Sequence, residues 1–243
     1  MSDQSSGIGK NIGQSELKNE HFFKAQIHST KEPLTLNAIT GNLFVIAAPS
    51  GAGKTSLVKA LSTSVSQLKI SVSHTTRAQR PGEINGQDYF FIDHKTFDEM
   101  TVKKAFLEHA VVFDHYYGTS HEWVHQQLLR GMDVVLEIDW QGARQIKLLF
   151  SNAILIFILP PSLEILMQRL ENRKQDHADI IARRMHAAQD EMSHCGEFDY
   201  LVVNDQFDVA LRDLQHIVLA LRLKMDVQQQ KQKGLLEKLL GRR

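Results

Sequence analysis

Ala48-Pro49-Ser50-Gly51-Ala52-Gly53-Lys54-Thr55 is the stretch that decides the fold. It follows the apolar run Leu43-Phe44-Val45-Ile46-Ala47 and leads into Ser56-Leu57-Val58-Lys59-Ala60-Leu61, where the apolar positions take helical spacing. Strand, small-residue loop and helix start together form the context in which G-x-x-x-x-G-K-[ST] makes a phosphate-binding loop. Small residues let successive backbone N–H groups turn inward around a phosphate. The helix N-terminus adds partial positive charge. Lys54 reaches the outer phosphates of a bound nucleotide, and the Thr55 hydroxyl is placed to ligate Mg²⁺. One position departs from the pattern, since Ala48 stands where the first Gly is usual.

Working outward, the chain has 243 residues, the size of one sizeable domain or one domain with inserts. Hydrophobic residues make up 42%, enough for a core. The formal net charge is +0, so no global field draws the chain to nucleic acid or to a membrane, and anion binding must come from local Arg and Lys clusters. Cys195 is the one cysteine, which excludes an intramolecular disulfide and fits a reducing cytoplasm. The apolar runs, such as 153–159, are too short to span a bilayer, and the N-terminus has no apolar signal core.

Residues 1–40 are polar, with few and aperiodic apolar positions, and read as a disordered extension. After the phosphate loop and its helix, 68–73 reads as a strand. His74-Thr75-Thr76-Arg77-Ala78-Gln79-Arg80-Pro81-Gly82-Glu83 is a basic loop in which Arg77 and Arg80 are expected to clamp a second phosphate. Residues 86–92 read as a strand, 95–105 as a short helix and 106–113 as another strand, in which Glu108 needs a partner. Tyr116 to Ser120 reads as a turn. Asp133 to Asp139 is an apolar strand ending in acids, and Glu137 and Asp139, two apart, share one face near a metal. The near-continuous apolar run 153–159 is that of a parallel strand covered on both faces.

Beyond Pro160-Pro161-Ser162 come Arg169, Arg173, Arg183 and Arg184, on two helical stretches interrupted by polar 174–177. They predict a mobile helical lid with inward-facing arginines. Residues 200–205 read as the last strand, 207–225 as a long amphipathic helix, and the tail carries Leu235, Leu236, Leu239 and Leu240 at helical spacing. His121-Glu122-Trp123-Val124-His125 matches H-E-x-x-H, but with 12 histidines in the chain and no third ligand nearby it reads as a solvent-facing helix start with Trp123 packed inward. The predicted fold class is α/β: a P-loop parallel sheet core flanked by helices, with a strand-rich insert over 74–120 and a helical lid over about 162–185. The predicted boundaries are an extension at 1–40, a domain at 41–226 and a tail at 227–243.

Taken together, APSGAGKT, SVSHTTRAQRPGE, GQDYFF, FLEHA, YYGTS, LEIDWQGA, the RLENR stretch and VVND, in order over about 41–226, resemble the bacterial guanylate kinases among the nucleoside monophosphate kinases. The resemblance implies ATP + GMP → ADP + GDP, with Mg²⁺, in the cytoplasm, and dGMP as a second acceptor. It implies an ATP site at Ala48, Pro49, Ser50, Gly51, Ala52, Gly53, Lys54 and Thr55, with Asn204 near the adenine. It implies a GMP site at Ser73, Arg77, Arg80, Tyr89, Glu108, Tyr117, Thr119, Glu137 and Asp139, with Thr55 on Mg²⁺ and Glu137 or Asp139 reaching the ion through water. Lys54, Arg77, Arg169, Arg173 and Arg184 are implied as the catalytic charges. The chemistry of the residues agrees. A carboxylate such as Glu108 accepts from guanine N1–H and the 2-amino group at once, and AMP offers no matching donors, so rejection reaches about 10⁴-fold. A hydroxyl such as Thr119 or Ser73 donates to guanine O6. Two further departures from the family pattern are Glu137, where Asp is commoner, and Asn172-Arg173-Lys174, where Gly-Arg-Gly is usual.

Three rival readings have specific tests in the sequence. A guanylate-kinase-like interaction module without chemistry tends to have a degraded phosphate loop, whereas Lys54 and Thr55 are present here. A kinase acting on a ribose phosphate has no use for a base-reading Glu108. A GTPase calls for N-K-x-D, which 172–176 does not supply. Partners are expected to be the two nucleotides, with neither nucleic acid nor membrane, and with oligomerisation left open.

Overall fold

The computed structural model describes residues 41–112, 114–172 and 178–241. The predicted extension at 1–40, Arg173 and the polar stretch 174–177 lie outside the described residues. Five parallel strands make the central sheet: β1 (Leu43–Ala47), β2 (Leu68–Ile70), β7 (Asp133–Glu137), β8 (Ile154–Leu159) and β9 (Tyr200–Val203), in the order β2-β7-β1-β8-β9. β1 is buried along its whole length and β8 nearly so, as a strand covered on both faces must be.

The alternation of β1 shows how the layers are built. Phe44 and Ile46 point to one face, into a core with Leu57, Val58 and Leu61 of α1 (Lys54–Ser64) and with Leu214 and Val218 of α7 (Phe207–Arg222). Leu43 and Val45 point to the other face, against Val124 and Leu128 of α3 (His121–Leu129) and Ala143 and Ile146 of α4 (Trp140–Leu149). Each fully buried aliphatic side chain contributes about 1.5–3 kcal/mol by leaving water. Three helix starts of this part of the chain carry their own caps: Ser120 accepts from Trp123 N, Asp139 from Gly142 N, and Ser162 from Ile165 N. A buried ion pair closes the core at the end where the sheet strands begin. Asp133, 1% exposed, accepts from Arg222 Nε at 2.7 Å and from Asn42 N at 2.8 Å, tying α7 to the first residue of β7.

A second, mixed sheet rises from the chain between α1 and α3. Its order is β4-β3-β6-β5, with β3 (His74–Thr75), β4 (Phe90–Phe91), β5 (Phe106–Val112) and β6 (His115–Ser120). α2 (His94–Val102) packs Phe97 against it, beside Phe106 at 4.5 Å and Tyr116 at 5.4 Å between ring centroids. Three sequence expectations shift here. The strand expected over 68–73 stops at Ile70 and restarts as β3, and the one expected over 86–92 shortens to Phe90–Phe91. The turn expected at 116–120 is strand β6, because Tyr116, Tyr117 and Thr119 pair antiparallel with β5 and the reversal falls earlier, with Asp114 at φ 65. Aromatic and β-branched residues favour that pairing. Gly118 fits because a Cβ there would fall 2.8 Å from Phe106.

After β8, α5 (Leu163–Glu171) and α6 (Ala178–Ser193) pack together through Leu166, Leu170 and Ala188. α8 (Met225–Lys231) and α9 (Lys233–Leu240) end the described chain, with Leu235, Leu239 and Leu240 exposed.

Candidate active site

The phosphate loop leaves β1 and enters α1 through two left-handed glycines, Gly51 at φ 93 and Gly53 at φ 91. Only glycine takes those angles without strain. Ala48 is not among the described residues with positive φ, so the position where glycine is usual makes no demand that alanine fails. No side chain caps α1 and its first turn carries no acid, which leaves its N–H groups for an anion. Glu137, at the end of β7, pairs in register with Ile46 and so emerges beside the loop. Thr55 Oγ1 donates to Glu137 Oε2 at 3.0 Å, and Lys54 Nζ donates to the Ile138 carbonyl at 3.2 Å. Asp139 lies beyond the strand end, as the cap of α4. It still faces the same cleft as Glu137.

The basic loop forms the opposite wall. Arg77 is nearly buried, with its guanidinium 5.3 Å from the Tyr89 ring and 5.6 Å from the Phe91 ring. Arg77 Nη2 donates to Glu83 Oε1 at 2.7 Å, while Glu83 Oε2 accepts from Arg80 N at 2.8 Å. Glu83 therefore pins the loop that carries both arginines. Burial pulls the Arg77 pKa down, and the Glu83 carboxylate more than offsets it. Tyr89, largely enclosed, is pushed up to about 12 by burial first and by Tyr117 next.

Between the two walls lies Glu108, 3% exposed on β5. A bulge between Phe106 and Glu108 turns its side chain toward the cleft and sets it opposite Thr119 of β6. Thr119 Oγ1 donates to Glu108 Oε1 at 2.5 Å. Burial pushes the Glu108 carboxyl up to about 7, the Thr119 hydrogen bond pulls it back, and Asp139 pushes it further up. Asp139 is itself raised by burial, against the pull of the Gly142 N–H and of Lys54.

These residues share one cleft of about 410 Å³, within the range of about 300–1,000 Å³ usual for small-molecule sites. Of the predicted residues, Ala48, Pro49, Ser50, Gly51, Gly53, Lys54 and Thr55 line one end. Ser73, Arg77, Arg80, Tyr89, Glu108 and Tyr117 line the other, with Glu137, Asp139 and Arg184 between. Four predicted residues lie elsewhere. Ala52 and Thr119 are fully buried behind the surface. Asn204 sits under the loop, with Nδ2 donating to the Ala52 carbonyl at 2.7 Å, and Arg169 Nη2 donates to the Asn204 carbonyl at 3.0 Å. The adjacent arginines of α6 divide. Arg184 faces the cleft, whereas Arg183, expected to face inward, reaches Asp114 of the β5–β6 reversal at 3.4 Å.

The sequence reading missed Glu83, Glu191 and Gly142. Glu83 had a local signal, an acid six residues after Arg77 in the same loop. Glu191 had none: it is one more acid on an amphipathic helix. It nonetheless lines the cleft, with Oε2 buried and unpartnered, and its pKa is raised to about 7 by burial, against the pull of Lys54.

The parallel sheet with its phosphate loop and the attached second sheet define a P-loop α/β nucleotide-binding protein. The family described as guanylate kinase matches residues 40–221. The guanylate kinase of Coxiella burnetii (strain RSA 493 / Nine Mile phase I) is 57% identical over 199 residues, 82% of this chain and 97% of its own. That of Escherichia coli (strain K12) is 53% identical over 203 residues, 83% and 98% of the two chains. The crystal structure of guanylate kinase from Anaplasma phagocytophilum superposes with a TM-score of 0.67 at 31% identity, covering 82% of this chain and 95% of that one. The chain belongs to the guanylate kinase family.

Proposed function

We infer that the chain transfers the γ-phosphoryl group of ATP to GMP, giving ADP and GDP, and that the cleft holds both nucleotides end to end. The observation that carries this is the shared cleft itself: a phosphate loop at one end, paired arginines and a buried carboxylate at the other. The loop backbone, Lys54 and Thr55 take the ATP phosphates. Arg77, Arg80 and Tyr89 take the GMP phosphate, and Glu108 in its ionised form accepts from guanine N1–H and the 2-amino group. Thr119 spends its one proton on Glu108, so Ser73, which lines the cleft, is the hydroxyl left for guanine O6. Asn204 and Arg169 serve the ATP end from behind, by holding the loop.

The attacking atom is a GMP phosphate oxygen that is already ionised, so no general base is required. Lys54 and the arginines align the two phosphates and spread the charge that develops on the transferring group. α5, α6 and the stretch between them act as a lid, with Arg184 and Arg173 as its charges. The strand-rich insert at 74–120 acts as the acceptor arm.

Mg²⁺ fits the oxygen donors present, the Thr55 hydroxyl and the Glu137 carboxylate at 3.0 Å from each other, with Asp139 nearby in the cleft. A hard, hydrated cation is held this way, by one or two protein oxygens and the substrate phosphates. When bound it neutralises phosphate charge. We place the reaction in the cytoplasm, a setting the single thiol supports. Among the described residues no helix is long and apolar enough to cross a membrane.

A panel of GMP, dGMP, AMP, CMP and UMP as acceptors, with ATP and Mg²⁺, tests the reading. Turnover is expected with GMP and dGMP only. Phosphorylation of a sugar phosphate with none of GMP would overturn it, as would GMP turnover no higher than that of a Lys54→Ala control.

A further inference from the structure

Gly142 lies in the first turn of α4, buried, one helical step from the cap residue Asp139. A Cβ built on it would fall 2.8 Å from Glu108 Oε2, 3.0 Å from Ile138 Cδ1 and 3.3 Å from Ile138 Cβ. Its φ is not positive, so the backbone itself does not call for glycine. Its N–H donates to Asp139 Oδ1 at 2.9 Å, a bond that alanine would keep. What distinguishes the position is the space above its Cα, which the Glu108 carboxylate occupies together with the Ile138 side chain, the carboxylate being the nearer.

The two oxygens of Glu108 are thus fixed from two sides by different elements. Oε1 takes the Thr119 proton from β6, and Oε2 rests against the bare Cα of Gly142 on α4. A carboxylate has about four acceptor directions, and the Thr119 hydroxyl uses one of them. The rest are aimed by how deeply the group sits. We propose that Gly142 is a positioning residue for base recognition: its missing side chain sets the depth of the Glu108 carboxylate and so the register of the guanine edge in the cleft. The proposal rests on the reading of Glu108 as the group that accepts from guanine.

A methyl group at 142 pushes the carboxylate outward by several tenths of an ångström, because real Cβ atoms do not approach an oxygen at 2.8 Å. The carboxylate is the free end of a flexible side chain, so it yields before the backbone does. The shift strains the bond to Thr119 and misaligns two hydrogen bonds to the base together. The methyl also presses on the Ile138 side chain, which must give by a few tenths of an ångström, whereas Lys54 and Thr55 reach the Ile138 carbonyl and Glu137 and have no bond to Gly142 itself. Alanine is also the better helix former, so the helix persists.

The test compares wild type, Gly142→Ala, Glu108→Asp, the double variant and Glu108→Gln, with GMP and ATP varied separately and thermal melts recorded. Gly142→Ala is expected to lower kcat/KM for GMP by about tenfold or more, as small misplacements of a recognition group do, with KM for ATP within about twofold and the melting temperature not reduced. Glu108→Asp, one methylene shorter, makes room for the methyl, so the double variant is expected to lose less kcat/KM for GMP than the two single losses multiplied together. A Gly142→Ala enzyme with normal GMP kinetics beside an impaired Glu108→Gln overturns this proposal alone. Equal losses toward GMP and ATP, or a lower melting temperature with strictly additive kinetics, also overturn it, since those mark a packing role. Normal discrimination against AMP in Glu108→Gln overturns the base-reading itself, and the proposal with it.

Discussion

The two sheets of this molecule carry the two ends of the cleft, and they do so by different means. The parallel sheet is a layered core whose inner strands β1 and β8 are apolar and buried almost throughout. The site at its edge is made largely of backbone: two left-handed glycines and an uncapped helix start. The mixed sheet has strands as short as two residues, a bulge and a cluster of rings, and its site is made of side chains, Glu108, Thr119, Arg77 and Glu83. A backbone site tolerates a change of side chain wherever the angle allows it, as Ala48 shows. A side-chain site tolerates little, because each group fixes the next.

That contrast can be broken most sharply at Lys54, the long side chain that the backbone site presents to the cleft. Lys54→Ala is expected to lower kcat by about 10³-fold or more, since its charge serves the transferring group. Steady-state turnover with GMP saturating measures this, and a loss under tenfold would remove Lys54 from the reaction. Next in size, Glu108→Gln is expected to cut the GMP-to-AMP ratio of kcat/KM by about 10²-fold, because an amide cannot accept from both guanine donors. KM for ATP should hardly move.

The pH dependence sharpens the same comparison. Glu108 is held at about 7, above its usual 4.5, by burial. On the proposed role, in which the ionised form reads the base, kcat/KM for GMP should fall as pH drops through about 7. Glu108→Gln should lose that part of the profile while keeping the part due to GMP itself. For stability the sign is opposite. A carboxyl raised in the folded state binds more protons folded than unfolded between 4.5 and about 7, so its contribution falls as pH rises through that window. Glu108→Gln should flatten that slope in urea midpoints measured across it. The smallest effect is at Ala48. Ala48→Gly should leave activity within about twofold and cost up to about 1 kcal/mol of stability through the freer unfolded chain. A larger loss would mean that the Ala48 side chain has a role in the site.

The sequence was most legible where structure is local. β1, the loop and α1 are contiguous, and β7 and β8 announce themselves as apolar runs. The mixed sheet was harder because its strands exist through pairing. Tyr116 to Ser120 looks like a turn until β5 is laid beside it, and the bulge that aims Glu108 has no sequence signature. The arginines of α6 show the same limit. Arg183 and Arg184 are neighbours in sequence, yet they point to different surfaces because a helix turns about 100° between them. Gly142 was visible as a glycine, but its reason is a contact with a residue 34 positions earlier in the chain.

One feature of the core reaches beyond catalysis. Asn204 donates to the Ala52 carbonyl from 152 positions away, and a Cβ at Gly53 would collide with its amide at 2.4 Å. During synthesis the phosphate loop leaves the ribosome early, with its own strand and helix. The amide that braces it from below is translated about 150 residues later, after both sheets and α6. A nascent or truncated chain ending before β9 therefore carries the complete loop sequence without its brace.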